Sequence, residues 1–194
     1  MKYNDNSNFY VTAYDGPEPV NKDDVKRRLN MKFDTDGAYE FNEDDVLITD
    51  LIVTARKWCE NWAGIAIREQ TIVCEIRNEC GGVVIPYGPI DSITSAVDST
   101  GAALTLTYHG SKWRTIVSPE TDYIKLTYKS GYALLGSNYS ALPKDIKDAI
   151  IAVAVKLYVD RGDVDKITSR GISIYTLDLA KTLLAPYNKR SWLI

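Results

Sequence analysis

Between Leu47 and Trp62, apolar residues return every three or four positions: Leu47, Leu51, Ala55, Trp58 and Trp62 form one stripe, widened by Ile48, Ile52 and Cys59. That period predicts an amphipathic helix, which Gly64 can end in a left-handed cap. Its start signal is Asn42, flanked by Phe41 and Val46 like a hydrophobic staple around an N-cap. The same design occurs earlier, where Val20 and Val25 flank Asn21. There Asp23 and Asp24 sit in the positive first turn, and Leu29 continues the stripe of a short helix ending near Asn30. The first 19 residues, closing on Gly16-Pro17-Glu18-Pro19, have no period and read as an extended arm rather than an element. Asp34 to Glu40 is an acidic, glycine-containing linker.

Past Ala66 the period drops to two: Ile72, Cys74 and Ile76 alternate with Thr71, Val73, Glu75 and Arg77, which predicts a strand. Val83 to Ile85 and Ile93 to Val97 are short candidates, and Asp98-Ser99-Thr100-Gly101 is a turn. Leu104, Leu106 and Tyr108 then alternate with threonines up to a turn at His109-Gly110. Thr115 to Val117 and Tyr123 to Tyr128 complete about six strands, a meander of hairpins covering one face of something else. The 3.6 period returns at Pro143, which can open a helix with Asp145 in its first turn and Ile146, Ala149, Ile150, Val153 and Leu157 as its core stripe. Ile151, Val155 and Val159 extend the apolar surface beyond that stripe, so this helix is both the centre of the fold and a candidate subunit interface. Leu177, Ala180, Leu184 and Tyr187 mark a last helix closed by Pro186, and the tail Ser191-Trp192-Leu193-Ile194 is apolar. The predicted class is therefore α+β. A helical core of about four helices (residues 20–66 and 142–187) holds a small antiparallel β-sheet, a β meander, inserted between the second and third helices (67–132), with an arm at 1–19 and a tail at 188–194.

Composition adds bounds rather than elements. A chain of 194 residues that is 45% hydrophobic can bury a sizeable core without crosslinks. Cys59, Cys74 and Cys80 are an odd number with no C-x-x-C pair, and read as buried free thiols. The polar start, Met1 to Tyr10, does not resemble a secretory signal, and no apolar run is long enough to cross a bilayer, so synthesis in the cytoplasm and no membrane partner are expected. In that setting Asn138-Tyr139-Ser140 carries no weight as a glycosylation acceptor. A net charge of −3 confines any contact with DNA to local cation clusters: Lys26-Arg27-Arg28, Arg161 with Lys166 and Arg170, or Lys189-Arg190. Each is equally a solvated helix end.

No catalytic chemistry emerges. The single histidine, His109, lies in a turn, where it supplies neither a triad nor a zinc ligand set. Asp34-Thr35-Asp36-Gly37 lacks the rest of a calcium loop, and Gly81-Gly82 is followed by neither a lysine nor a helix start. No catalytic residue, metal site or cofactor is expected.

The order helix, helix, β insertion, helix, helix, with several local phrases, resembles the head-to-tail connector (adaptor) proteins of tailed bacteriophages, of the type named for gene product six. The phrases are Ala55-Arg56-Lys57-Trp58 with Trp62 and Gly64, Ile85-Pro86, and Pro89-Ile90-Asp91-Ser92-Ile93. Downstream come Leu126-Thr127-Tyr128 with Gly131-Tyr132, Leu142-Pro143 opening a helix to Tyr158 and Arg161, and Leu183-Leu184-Ala185-Pro186-Tyr187. The resemblance implies a non-enzymatic virion protein forming a homo-oligomeric ring, commonly of twelve, beneath the portal. Packaged DNA passes through that ring, and a further connector, stopper or tail protein lies below. On that footing Lys189, Arg190, Trp192, Leu193 and Ile194 are expected to dock on the portal protein, although the tail can equally fold back on its own core. Arg161, Lys166 and Arg170 are expected to face DNA. The longer arm and the Asp34 to Asp45 linker depart from the family pattern, so their contacts do not follow from it. Two rivals stand beside this reading: a carbohydrate- or ligand-binding face on the β insertion using Trp113, Tyr108 and Tyr123, and a carboxylate-based hydrolase.

Overall fold

The structure, a computed structural model, describes residues 8–31, 43–77, 82–111, 115–117, 121–132, 142–161 and 174–188. Its internal contacts divide the chain into a helical unit, Glu18–Ala63 with Leu142–Asn188, and a β unit formed by the remainder. Among the described residues there are four helices and seven strands, an α+β fold with six of the strands between the second and third helices and one before the first helix.

The helical unit begins as the sequence dictates. Asn21 caps α1 (Lys22–Arg28), its side-chain oxygen accepting from the Asp24 N–H at 2.9 Å, and Val20 and Val25 close the staple as buried residues. In α2 (Asp45–Ala63) the phase differs from the one the apolar period implies. The buried stripe is Ile48, Ile52, Ala55, Cys59 and Ala63, while Leu47 is exposed and Trp58 and Trp62 stack on each other at the margin, ring centres 6.4 Å apart. The start differs as well. The Ile48 N–H donates to the Asp44 carbonyl, so the ladder opens there; Val46 falls in the first turn and is 76% exposed instead of closing a staple. Phe41 and Asn42, like the acidic linker, lie outside the described residues. Gly64 does take the left-handed conformation at the end of α2, with φ 67°.

Pro143 precedes α3 (Lys144–Asp160) as its cap, and its carbonyl accepts from the Ile146 and Lys147 N–H groups. Ile146, Ala149, Ile150 and Val153 are fully buried and Leu157 half-buried. Ala152 and Ala154 are buried too, as expected of a helix covered on several sides: α3 packs against α1, α2 and α4 (Ile174–Leu184). Leu177, Ala180 and Leu184 turn α4 inward, and Pro186 sits in a short 3-10 turn, Ala185–Tyr187, that ends the unit.

The β unit corrects two expectations. Residues 8–14, read as part of an arm without an element, form β1 (Asn8–Tyr14), paired antiparallel with β2 (Gln70–Arg77). A register shift between Val11 and Ala13, together with exposure on both faces, hides the period of this edge strand. Second, the strands do not run as a meander. β3 (Gly82–Val84), β4 (Ile90–Val97), β5 (Tyr108–His109), β6 (Thr115–Val117) and β7 (Tyr123–Ser130) divide between a four-stranded sheet, β1-β2-β7-β4, and a three-stranded sheet, β3-β6-β5. The expected strand from Leu104 to Tyr108 shrinks to β5. The chain leaves the 98–101 turn along β4 for a single bridge, Val97–Ala103, flanked by the Asp98 N–H to the Ala102 carbonyl and the Leu104 N–H to the Ala96 carbonyl, before crossing to the second sheet.

Strict alternation along β7 buries Ile124, Leu126 and Tyr128, which join Ile72, Cys74, Ile76 and Ile116 in one apolar core. The same strand pins residues 86–89: the Tyr128 hydroxyl donates to the Pro86 carbonyl at 2.8 Å, and Ser130 Oγ donates to the Pro89 carbonyl at 2.8 Å and to that of Tyr87.

Candidate assembly surface

Helix α3 leaves one stripe uncovered by its neighbours. Lys144, Asp148, Ile151, Val155 and Val159 follow one another at steps of three and four; Ile151 and Val155 are half-buried and Val159 is 64% exposed. Along the first half of this stripe α1 and α4 stand on either side of an open groove of about 810 Å3. Ile151, Leu179 and Leu183 supply its apolar wall, and Arg27, Arg28 and Lys144 its cations, with Asp24 and Asp148 among them. Leu179, 46% exposed, belongs to no stripe that the sequence pattern identified. Its neighbours Leu177 and Ala180 carry the period, and the groove exists only where three helices converge.

The candidate cations fare differently. Lys26 is not a surface charge: it is 1% exposed and, with Lys22, forms ion pairs to Asp45, joining α1 to the start of α2. Hydrogen bonds from Lys22 and then Lys26 hold the Asp45 carboxyl below the usual carboxylate range, and Asp45 in turn raises Lys22. Arg161 is half-exposed at the end of α3, its guanidinium 3.7 Å above the Tyr158 ring and 3.3 Å from Asp44 Oδ2. The Tyr158 hydroxyl also donates to Asp44. Lys166 and Arg170 lie outside the described residues, as do Lys189, Arg190, Trp192, Leu193 and Ile194. On the β unit Tyr108 is exposed and Tyr123 half-buried, while Trp113 lies outside the described residues. Cys59 and Cys74 are free and buried, and burial pushes both thiols up to about 12, which leaves little reactive thiolate at neutral pH. Cys80 lies outside the described residues. Among the described residues no helix is long and apolar enough to cross a membrane, and no group of three or more His, Cys, Asp or Glu side chains is placed to hold a metal ion.

No family model matches the sequence, and no curated protein matches it. Solved structures share its fold. A chain from the neck of an empty gene transfer agent particle, computed with C6 symmetry, superposes with a TM-score of 0.66 at 14% identity, over 93% of this chain and 95% of that one. A chain from the virion of the native gene transfer agent particle gives 0.64 at 15% identity, over 93% and 94%. A third, from the neck of the native particle computed with C12 symmetry, gives 0.63 at 13% identity, again over 93% and 94%. At such identities the likeness is one of fold, and it extends over nearly the whole of both chains.

Proposed function

We propose that this chain is a structural, non-enzymatic subunit of the head-to-tail connector of a tailed phage or phage-like particle. It forms a ring, of twelve copies in our reading, that docks under the portal and joins the DNA-filled capsid to the tail or the next connector ring. The observation that carries this reading is the near full-length likeness to chains of gene transfer agent particles, two of them from necks computed with C6 and C12 symmetry. The order of helices and β insertion that resembles the connector type named for gene product six supports it independently. The protein is then made in the cytoplasm of a bacterial host and resides in the virion neck. The chain should co-migrate with its own portal ring in size-exclusion chromatography, and a portal that elutes unchanged counts against the proposal.

On this reading the helical core, residues 20–66 and 142–187, builds the ring. Ile151, Val155 and Val159 lie at contacts between subunits, and the apolar tail from Lys189 to Ile194 reaches the portal. Truncation after Tyr187 should weaken portal binding by at least tenfold; unchanged affinity would show that the tail docks nowhere on the portal. For the lumen, the stretch of sequence from Arg161 to Arg170, with Lys166 between them, concentrates cations in an acidic chain. Replacing Lys166 and Arg170 with alanine should lower the slope of log affinity for duplex DNA against log salt by about 2, roughly one for each phosphate ligand removed. A slope that does not move assigns these residues elsewhere. Arg161, already engaged with Tyr158 and Asp44, fits better as an anchor at the end of α3 than as a third phosphate ligand.

A further inference from the structure

A closed ring of more than two copies needs two unlike, mutually complementary surfaces on each subunit, because every copy meets its two neighbours through different faces. Resting on the ring reading above, we propose that the α1–α3–α4 groove of one subunit receives the exposed face at the start of α2, led by Val46, from a second copy.

Three observations converge on that pair. The groove is concave, with Ile151, Leu179 and Leu183 forming its apolar wall, and among the described residues none from α2 lines it, although α2 packs against α3. The two surfaces on one subunit are therefore separate, as head-to-tail closure requires. The start of α2 presents two apolar side chains where the sequence pattern led us to expect burial: Val46 is 76% exposed and Leu47 lies beside it, also exposed. Only the outward face of those turns is available to a partner, since Ile48 and Ile52 are buried within their own subunit, so Val46 and Leu47 are the apolar side chains that can meet the groove wall.

Charge sets the orientation. Glu43 and Asp50 are exposed around the valine, and Arg28 and Lys144 are exposed at the groove. Such rim pairs are screened and individually weak, so they steer and align a contact that the apolar residues hold. The uncovered apolar residues of α3 divide accordingly: Ile151 belongs to the groove, whereas Val155 and Val159 continue its stripe toward the end of the helix.

The test is crosslinking in the assembled state. The full chain carrying Val46→Cys and Leu179→Cys together, in a Cys80→Ser background, is mixed with its portal ring and treated with a short bis-maleimide. It should give a ladder from dimers up to the complete ring. Either single variant, or the double variant without assembly, should give none. Val46 and Leu179 are exposed, so the variants should fold, as circular dichroism can verify. Val46→Asp should lower ring occupancy on the portal by at least tenfold. Rings that form on the portal without a ladder, or that tolerate Val46→Asp, overturn this contact while leaving the ring reading intact. Wild-type chain that forms no ring on the portal overturns the ring reading itself.

Discussion

Arg56→Ala should lower the free energy of unfolding by about 3–5 kcal/mol, measured as a shift of the urea midpoint, because it removes a buried cation that balances two carboxylates. The guanidinium is 1% exposed. Its Nε and Nη2 donate to the two carboxylate oxygens of Glu18 at 2.7 and 3.2 Å, and Nη1 donates to Glu60 Oε2 at 2.6 Å. Glu18 lies just before α1, so the triad ties the entry of the first helix to the middle of the second. Removal of the cation leaves Glu60, also buried, in a low-dielectric setting without the guanidinium that balances its charge. Arg56→Lys keeps the charge but cannot span both carboxylates, and should recover only part of the loss. An alanine variant within about 1 kcal/mol of wild type would contradict the role given to the triad.

The second large effect is expected at Gly131, in the β unit. Its φ is 115°, and a β-carbon placed there would lie 2.4 Å from the Arg68 carbonyl oxygen and 2.9 Å from the Glu69 Cα. These are backbone atoms next to the Arg68–Tyr132 bridge, so they cannot yield as a flexible side chain would. Gly131→Ala should cost at least about 3 kcal/mol, combining backbone strain with displacement of a neighbouring strand end. Gly101 is the internal control. Its φ of 87° is equally unusual, yet nothing lies within 4 Å of a methyl group added there, so Gly101→Ala should cost only about 1–2 kcal/mol. Equal thermal shifts for the two variants would mean that the close approach at Gly131 relaxes freely.

Signals that act within a few residues were legible in the sequence: Asn21 capping α1, Gly64 ending α2 and the strand from Tyr123 to Tyr128 all appear where the pattern put them. The phase of α2 was not. Arg56 and Lys57 are adjacent cations in one apolar period, and only the tertiary arrangement that brings Glu18 beside Arg56 decides that the first is buried and the second exposed. Pairing between distant strands was hidden for the same reason. β2 finds β7 across everything from β3 to β6, and β1 joins from the N-terminal side with a shifted register, so no local period predicts the order β1-β2-β7-β4. The groove follows this rule as well, since each of its walls reads as an ordinary helix face until α1, α3 and α4 converge. Exposure of Val46 depends on a helix start two residues later than the Asn42 signal implied, and that shift turns a staple residue into a protruding one.

Every role proposed for the groove, the tail and the cations Lys166 and Arg170 depends on this chain building a ring beneath a portal. Electron microscopy of the full-length protein mixed with its own portal ring measures that directly. An added layer is expected under the portal, with twelve copies around a central channel and the helical unit of each copy touching the next. Portal rings that remain bare at saturating protein concentration, or that carry isolated subunits without a closed layer, would contradict it.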